Sequence, residues 1–362
     1  MKKAPILFFL SFFLFNFSFP QHPQWDWAKS FGSIDSDVGN AICSDKFGNI
    51  YITGYYNNSI TFGNNTFTSA YYDNPFVVKL NSEGNIIWAK AFYGSYFVRG
   101  YDICCDTTCN VYVSGIFNNI IMTETDTFLT YGEDDVFLIK YDSIGVEQWI
   151  KHIGGDDDDF STDIAVTNKS ILITGGFKSQ QLYVCSDTFH LTGSCDIFTY
   201  KLSLDGNMIW ANNVGGYEYD RGWGITSDKL GNVYVAGYFH SQTINFGNIS
   251  LSNSGDADFF LAKHNADGVF VWVKQAYGLM KDRGRTIACD NNNNIIVAGN
   301  FNSDILCFDS TNYIVHNSIY PQTFIVKYDS LGQIMWIQNP INHNQGVINI
   351  CLDYMDGYTG AS

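Results

Sequence analysis

Hydrophobic and polar positions in this chain alternate in short bursts separated by turn residues. In residues 40–93, Ala41–Ser44 is a brief apolar segment, and Asp45-Lys-Phe-Gly48-Asn49 follows with residues that tolerate positive φ. Ile50–Tyr56 is β-branched and aromatic, and Phe76–Leu80 alternates. Asn81–Gly84 then turns the chain into Asn85–Phe92. The pattern predicts four antiparallel strands, with a long insert at 57–75 holding a smaller hairpin between the second and third. After the N-terminal leader no apolar period of 3.6 residues persists, so no helix is expected.

The unit recurs. Trp27, Trp88, Trp149, Trp210, Trp272 and Trp336 are spaced by 61, 61, 61, 62 and 64 residues. A Phe-x-x-Lys-x-x-x-x-Gly-x-x-x-Trp frame runs through Phe76–Trp88, Phe137–Trp149, Phe198–Trp210, Phe260–Trp272 and Phe324–Trp336. One four-stranded sheet cannot cover both of its faces, and stacked repeats can. The expected fold is therefore all-β, a β-propeller of blades about 61 residues long, with tryptophan and phenylalanine wedged between blades. Five blades are complete. A composite or incomplete sixth would draw on a fourth-type strand at 25–31, a first-type strand at 347–352 and a short second strand at 358–360. Tight turns around Gly84, Gly145, Gly206, Gly268 and Gly332 share one face with the Asp45–Asn49 type of turn. The long, variable loops collect on the other face, which is the expected working face.

The ends and the charge narrow the setting. Lys2 and Lys3 precede the apolar run 6–19, and Pro20 ends it, which reads as a secretory signal over 1–20 ahead of a single propeller domain over 21–362. The formal net charge is −16, or −18 without Lys2 and Lys3. That balance argues against nucleic acid or an anionic membrane as partner. The nine cysteines suggest few disulfides. Cys43, Cys104, Cys289 and Cys351 occupy equivalent strands in different repeats, a spacing that looks too wide to bridge. Cys185 and Cys195 lie ten residues apart in one repeat, across an expected hairpin, and are the candidate disulfide.

Arginine is scarce: Arg99, Arg221, Arg283 and Arg285 are the full set. The first three share a repeat phase, each directly before a glycine, in the loop that enters an innermost strand. Asp220 and Asp282 precede two of them, with Asp37 and Asp159 at similar positions. These seven residues are the candidate ligand-binding set at the channel mouth, because arginine offers a forked donor to anions and sugars. Equally, each could pair locally and tie a loop to the next blade. The run Asp156–Asp159 has the oxygen density that Ca²⁺ favours, but its spacing matches no EF-hand, and a solvated acidic loop fits as well. No histidine or cysteine spacing supports a transition metal, and no nucleophile elbow or phosphate loop occurs. No catalytic residue is assigned.

The unit Trp-Ala-Lys, Asp-x-x-Gly-Asn-x-Tyr-x-x-Gly, Ile-x-Phe-Gly and Phe-Val-x-Lys resembles the SBBP family of bacterial β-propeller repeats. Asp45–Gly54 with Ile60–Gly63 and Asp228–Gly237 with Ile244–Gly247 carry the likeness, over about residues 25–340. Repeats two, three and five depart from Ile-x-Phe-Gly, which questions the small hairpin there. The resemblance implies an exported or surface protein of Bacteroidetes type and no defined activity. The favoured role is a non-catalytic binding module for an extracellular glycan, peptide or protein, without a bound cofactor. The alternatives are a sialidase-like glycosidase, which uses an arginine triad, and a quinoprotein dehydrogenase, for which Cys104-Cys105 would be the vicinal disulfide.

Overall fold

The computed structural model describes residues 26–69, 72–184, 187–316 and 320–340, together with the backbone of 351–352 and 358–359. The expected leader at 1–20 and residues 347–350 of the expected closing strand lie outside the described residues. The described residues from Phe31 onward form one compact unit. No helix occurs among the described residues, and so none is long and apolar enough to cross a membrane.

Five antiparallel four-stranded meanders follow one another along the chain. Blade one comprises Asp37–Ser44, Ile50–Tyr56, Asn74–Leu80 and Ile86–Ala91. Blade two comprises Phe97–Cys105, Val111–Met122, Thr127–Tyr141 and Glu147–Gly154. Blade three runs Asp159–Val166, Ser170–Phe177, Asp196–Ser203 and Met208–Val214. Blade four runs Asp220–Ser227, Val233–Phe239, Asp258–His264 and Phe270–Ala276. Blade five runs Asp282–Cys289, Ile295–Phe301, Gln322–Tyr328 and Ile334–Gln338. The first strand of each blade packs beside the first strand of the next. All five first strands line one cavity of about 380 Å³. Meanders arranged around a shared channel make a β-propeller. The short ladder of Cys351–Leu352 with Tyr358–Thr359 lies beside the innermost strand of blade five. The strand expected at 25–31 does not form: residues 26–36 carry no ladder.

The core lies between blades. Tyr234, Phe259 and Leu261 of blade four pack with Phe301, Phe324 and Val326 of blade five, and corresponding clusters join the earlier pairs. Covered on both faces, the middle strands read as continuous apolar runs: Val233–Phe239 and Asp258–His264 are buried throughout. The recurring residues are contacts between neighbours. Gly268 turns blade four's third strand at φ +86°, and a Cβ there would sit 2.7 Å from the indole of Trp210 in blade three. Gly145, Gly206 and Gly332 lie in the same way against Trp88, Trp149 and Trp272. The framework lysines span the same joints. Lys79, Lys140, Lys201 and Lys263 donate to carbonyls of Ser143, Leu204, Ala266 and Ser330 in the next blade's turn, at 2.8–3.1 Å. Lys327 instead pairs with Asp290 in its own blade at 2.7 Å.

The Asp-x-x-Gly-Asn-x-Tyr motif is a self-contained turn. Asp45 accepts the Phe47 and Asn49 amides through Oδ1, while Asn49 Nδ2 and Tyr51 Oη donate to its Oδ2. Asp106 and Asp228 repeat this geometry. These hydrogen bonds outweigh partial burial and hold the Asp45 and Asp106 carboxyls below their ordinary value.

The inserts differ from expectation. Hairpins form in blades three and five despite the lost motif, at Gln181–Val184 with Asp187–His190 and at Ile305–Cys307 with Tyr313–Val315. In blade two the small hairpin merges with the blade, lengthening its middle strands. Blade three's hairpin also pairs with blade two's outermost strand through Ile153–Val184 and Gly154–Tyr183.

Candidate functional site

Every innermost strand carries a bulge at the same place. The register slips between Gly39 and Ala41, Gly100 and Asp102, Ser161 and Asp163, Gly222 and Gly224, and Gly284 and Thr286. The residue left over is Asn40, Tyr101, Thr162, Trp223 or Arg285. A bulge re-aims its extra side chain out of the ladder alternation. Asn40, Tyr101, Thr162 and Trp223 together line a cavity of about 410 Å³, with Phe160, Arg221 and the carboxyls of Asp134 and Asp158. Two of the ring residues hold the next blade: Asn40 Nδ2 donates to Gly100 O at 2.7 Å and Thr162 Oγ1 to Gly222 O at 2.9 Å.

The bulges of blades four and five build a cationic cluster. The guanidinium groups of Arg221 and Arg285 each lie 4.1 Å from the ring of Trp223. Arg221 also lies 4.2 Å from the Phe160 ring, and Arg283 lies 4.6 Å from that of Tyr238. Trp223 and Tyr238 are themselves 6.1 Å apart. Among the described residues none of the three arginines forms an ion pair, and Nε of Arg221 and of Arg283 is buried without a hydrogen-bond partner. Burial pushes Arg285 below its ordinary value, and the charges of Arg283 and Arg221 push the same way. Aromatic faces partly offset that repulsion, but they supply no counter-charge. An anion entering the cluster would meet several free donors in forked geometry.

The seven residues singled out by phase divide. Arg221 and Arg283 belong to the cluster, joined by Arg285. Arg99 does not. Its Nε and Nη2 both reach Asp73 Oδ2, at 2.7 and 2.5 Å, tying blade one's insert to blade two. The aspartates form no ring with the arginines. Asp159, Asp220 and Asp282 are fully buried, and each accepts the hydroxyl of Ser179, Ser241 or Ser303 at 2.6–2.7 Å, together with the backbone amide of that same serine. They clamp the loop after the second strand to the start of the first. Burial raises the carboxyls of Asp159 to about 7 and Asp282 to about 6. Asp37 accepts the Ser33 amide in a tight local turn.

The Asp156–Asp159 run disperses its carboxylates. Asp156 accepts the Gln180 amide, Asp157 the Asp158 amide, and Asp158 pairs with Lys178 at 2.7 Å. Among the described residues no three His, Cys, Asp or Glu side chains converge to hold a metal ion. Cys195 is a buried free thiol, and Cys185, its expected partner, lies outside the described residues. Cys104 and Cys105 are free thiols. The bulge ring has no residue signature of its own in the sequence. One signal was present: Trp223 breaks the phase of the structural tryptophans and sits between two glycines, Gly222 and Gly224, in an innermost strand.

No family model matches the chain. An uncharacterized WD repeat-containing protein of Acanthamoeba polyphaga mimivirus is 24% identical over 383 residues, covering 85% of this chain and 28% of that protein. The regulatory protein FlaEY of Caulobacter vibrioides is 26% identical over 175 residues, covering 46% and 17%. The chain thus spans less than a third of the length of either relative. Among solved structures, the Dos1 propeller has a TM-score of 0.43 at 11% identity, covering 88% of this chain and 73% of that one. An apocarotenoid oxygenase of Synechocystis gives 0.38 at 9% identity, covering 83% and 60%. The chain is a repeat-built β-propeller.

Proposed function

We propose that this propeller is an exported, non-catalytic binding module of the SBBP kind, and that it captures an extracellular glycan, peptide or protein through an anionic group. The observation that carries the reading is the cluster of Arg221, Arg283 and Arg285 against Trp223 and Tyr238, with buried Nε donors on Arg221 and Arg283 and, among the described residues, no carboxylate partner. Clustered, partly desolvated cations raise the energy of the empty site, and an anion lowers it. The chain is strongly acidic overall, at −16, so this positive focus is local and favours a discrete acidic group over a polyanionic surface. The adjoining cavity, with Tyr101, Thr162 and Asp134, offers donors and acceptors for the rest of the ligand. A propeller related by sequence to a WD repeat-containing protein fits an interaction role.

An array of acidic and neutral glycans and peptides tests the reading. The expected result is retention of acidic members, weakening as salt rises. Retention of neutral members alone, indifferent to salt, would overturn it. N-terminal sequencing of the extracellular fraction tests export, with cleavage expected near Pro20 and an intact Met1 in the cytoplasm contradicting it.

A further inference from the structure

The same channel has a second chemical feature nearer the tight-turn face. Cys43 is the penultimate residue of blade one's innermost strand and Cys105 the last of blade two's, and both line the cavity of about 380 Å³. Cys105 Sγ donates to the carbonyl oxygen of Ser44, the residue directly after Cys43, at 3.2 Å. The Cys105 side chain therefore touches the backbone of blade one across the joint, and Cys43 and Cys105 pack against the same inter-blade core. The spacing that looks unbridgeable in sequence compares Cys43 with Cys104. The residue that faces Cys43 is the next one along, because adjacent residues of a strand point to opposite sides. Both thiols are free and both line the channel cavity, so a reagent in the channel reaches them.

We propose that Cys43 and Cys105 are a redox-active thiol pair that closes to an inter-blade disulfide by exchange with an external disulfide. The Cys105 thiolate attacks one sulfur of a small-molecule or protein disulfide RSSR, forming a mixed disulfide and releasing RS⁻. The Cys43 thiolate then attacks Cys105 Sγ, expelling the second RS⁻. The two cysteines give up two electrons and two protons, and RSSR is reduced to two RSH. The local environment sets the order of attack. A hydrogen bond from the Cys43 thiol holds Cys105 below the ordinary thiol value, while Cys43, the donor in a buried spot, stays protonated until later. The bond would join residues 62 apart in sequence and staple blade one to blade two from inside the channel.

The test is to equilibrate the full chain in glutathione buffers of increasing oxidised fraction, then map disulfides by non-reducing peptide mass spectrometry and record thermal melting. The expected outcome is a Cys43–Cys105 cross-linked peptide, a loss of two titratable thiols and an upward shift in melting temperature that reductant reverses. Cys43→Ser and Cys105→Ser should each abolish the cross-link and the shift. Linkage of Cys105 to Cys104 or Cys109, or only cross-links between copies, overturns the proposal. So does a thiol count unchanged at full oxidation.

Discussion

Replacing Gly268 with alanine isolates the contact that joins one blade to the next, because Gly231 provides a matched control. Both glycines sit in tight turns of blade four, at φ +86° and +84°. Both amides close the turn, to Asn265 O at 3.1 Å and Asp228 O at 3.0 Å. Alanine at either position carries the left-handed penalty of about 1–2 kcal/mol. At Gly231 a Cβ meets nothing nearer than 3.8 Å, so that penalty is the whole cost. At Gly268 the Cβ lies 2.7 Å from Cδ2 and 2.9 Å from Cγ of Trp210. The indole must retreat by roughly 1 Å to regain ordinary carbon contact. That retreat strains packing by about 1–3 kcal/mol. It also stretches the bond from Trp210 Nε1 to Ala266 O, now 3.0 Å, which is worth about 1 kcal/mol. Gly268→Ala should therefore cost about 3–6 kcal/mol, and Gly231→Ala about 1–2. Urea unfolding at equilibrium, with the m-value checked for constancy, reads the difference. Equal losses would mean that the tryptophan–glycine contact contributes nothing beyond backbone conformation.

Other outcomes follow from the same geometry. Lys263→Met removes the charged donor to Ser330 O and should destabilise by about 2 kcal/mol in the same assay. The buried carboxyls of Asp159 and Asp282, raised to about 7 and about 6, bind protons more tightly folded than unfolded. Their contribution is complete below the unfolded value near 3.8 and is lost as pH climbs through 6 to 7, so Asp159→Asn should flatten the fall in stability over pH 4–7 by up to about 1.4 kcal/mol per pH unit. Thr162→Val breaks the tie to Gly222 O while preserving shape, and should cost about 1 kcal/mol in urea.

The fold was legible because what repeats in this sequence is what touches between blades. The tryptophans, the turn glycines and the framework lysines meet across every joint from blade one to blade five, so periodicity alone located them. The site was only half legible for the same reason. Asp159, Asp220 and Asp282 recur because each blade needs the same loop clamp, and recurrence at a fixed phase made a structural element look like a binding ring. Arg99 shares the phase of Arg221 and Arg283, but it faces Asp73, where the blades before Arg221 and Arg283 carry Cys195 and Ala257 instead of a carboxylate. The residues at the bulges vary from Asn40 to Arg285 at a constant phase. Their common role depends on a backbone slip that no residue type announces. The proximity of Cys43 to Cys105 depends on the alternation of side chains along two strands, so counting from equivalent positions concealed it.

The anion site is tested by a binding titration of the acidic ligand retained in the array, comparing Arg221→Ala, Arg283→Ala and Arg285→Ala with Arg99→Ala. Each cluster variant should weaken binding at least about tenfold, a loss of about 1.4 kcal/mol, while Arg99→Ala binds as the unmodified protein does. Equal weakening by Arg99→Ala, or full retention when all three cluster arginines are replaced together, would contradict the assignment of the cluster as the anion site.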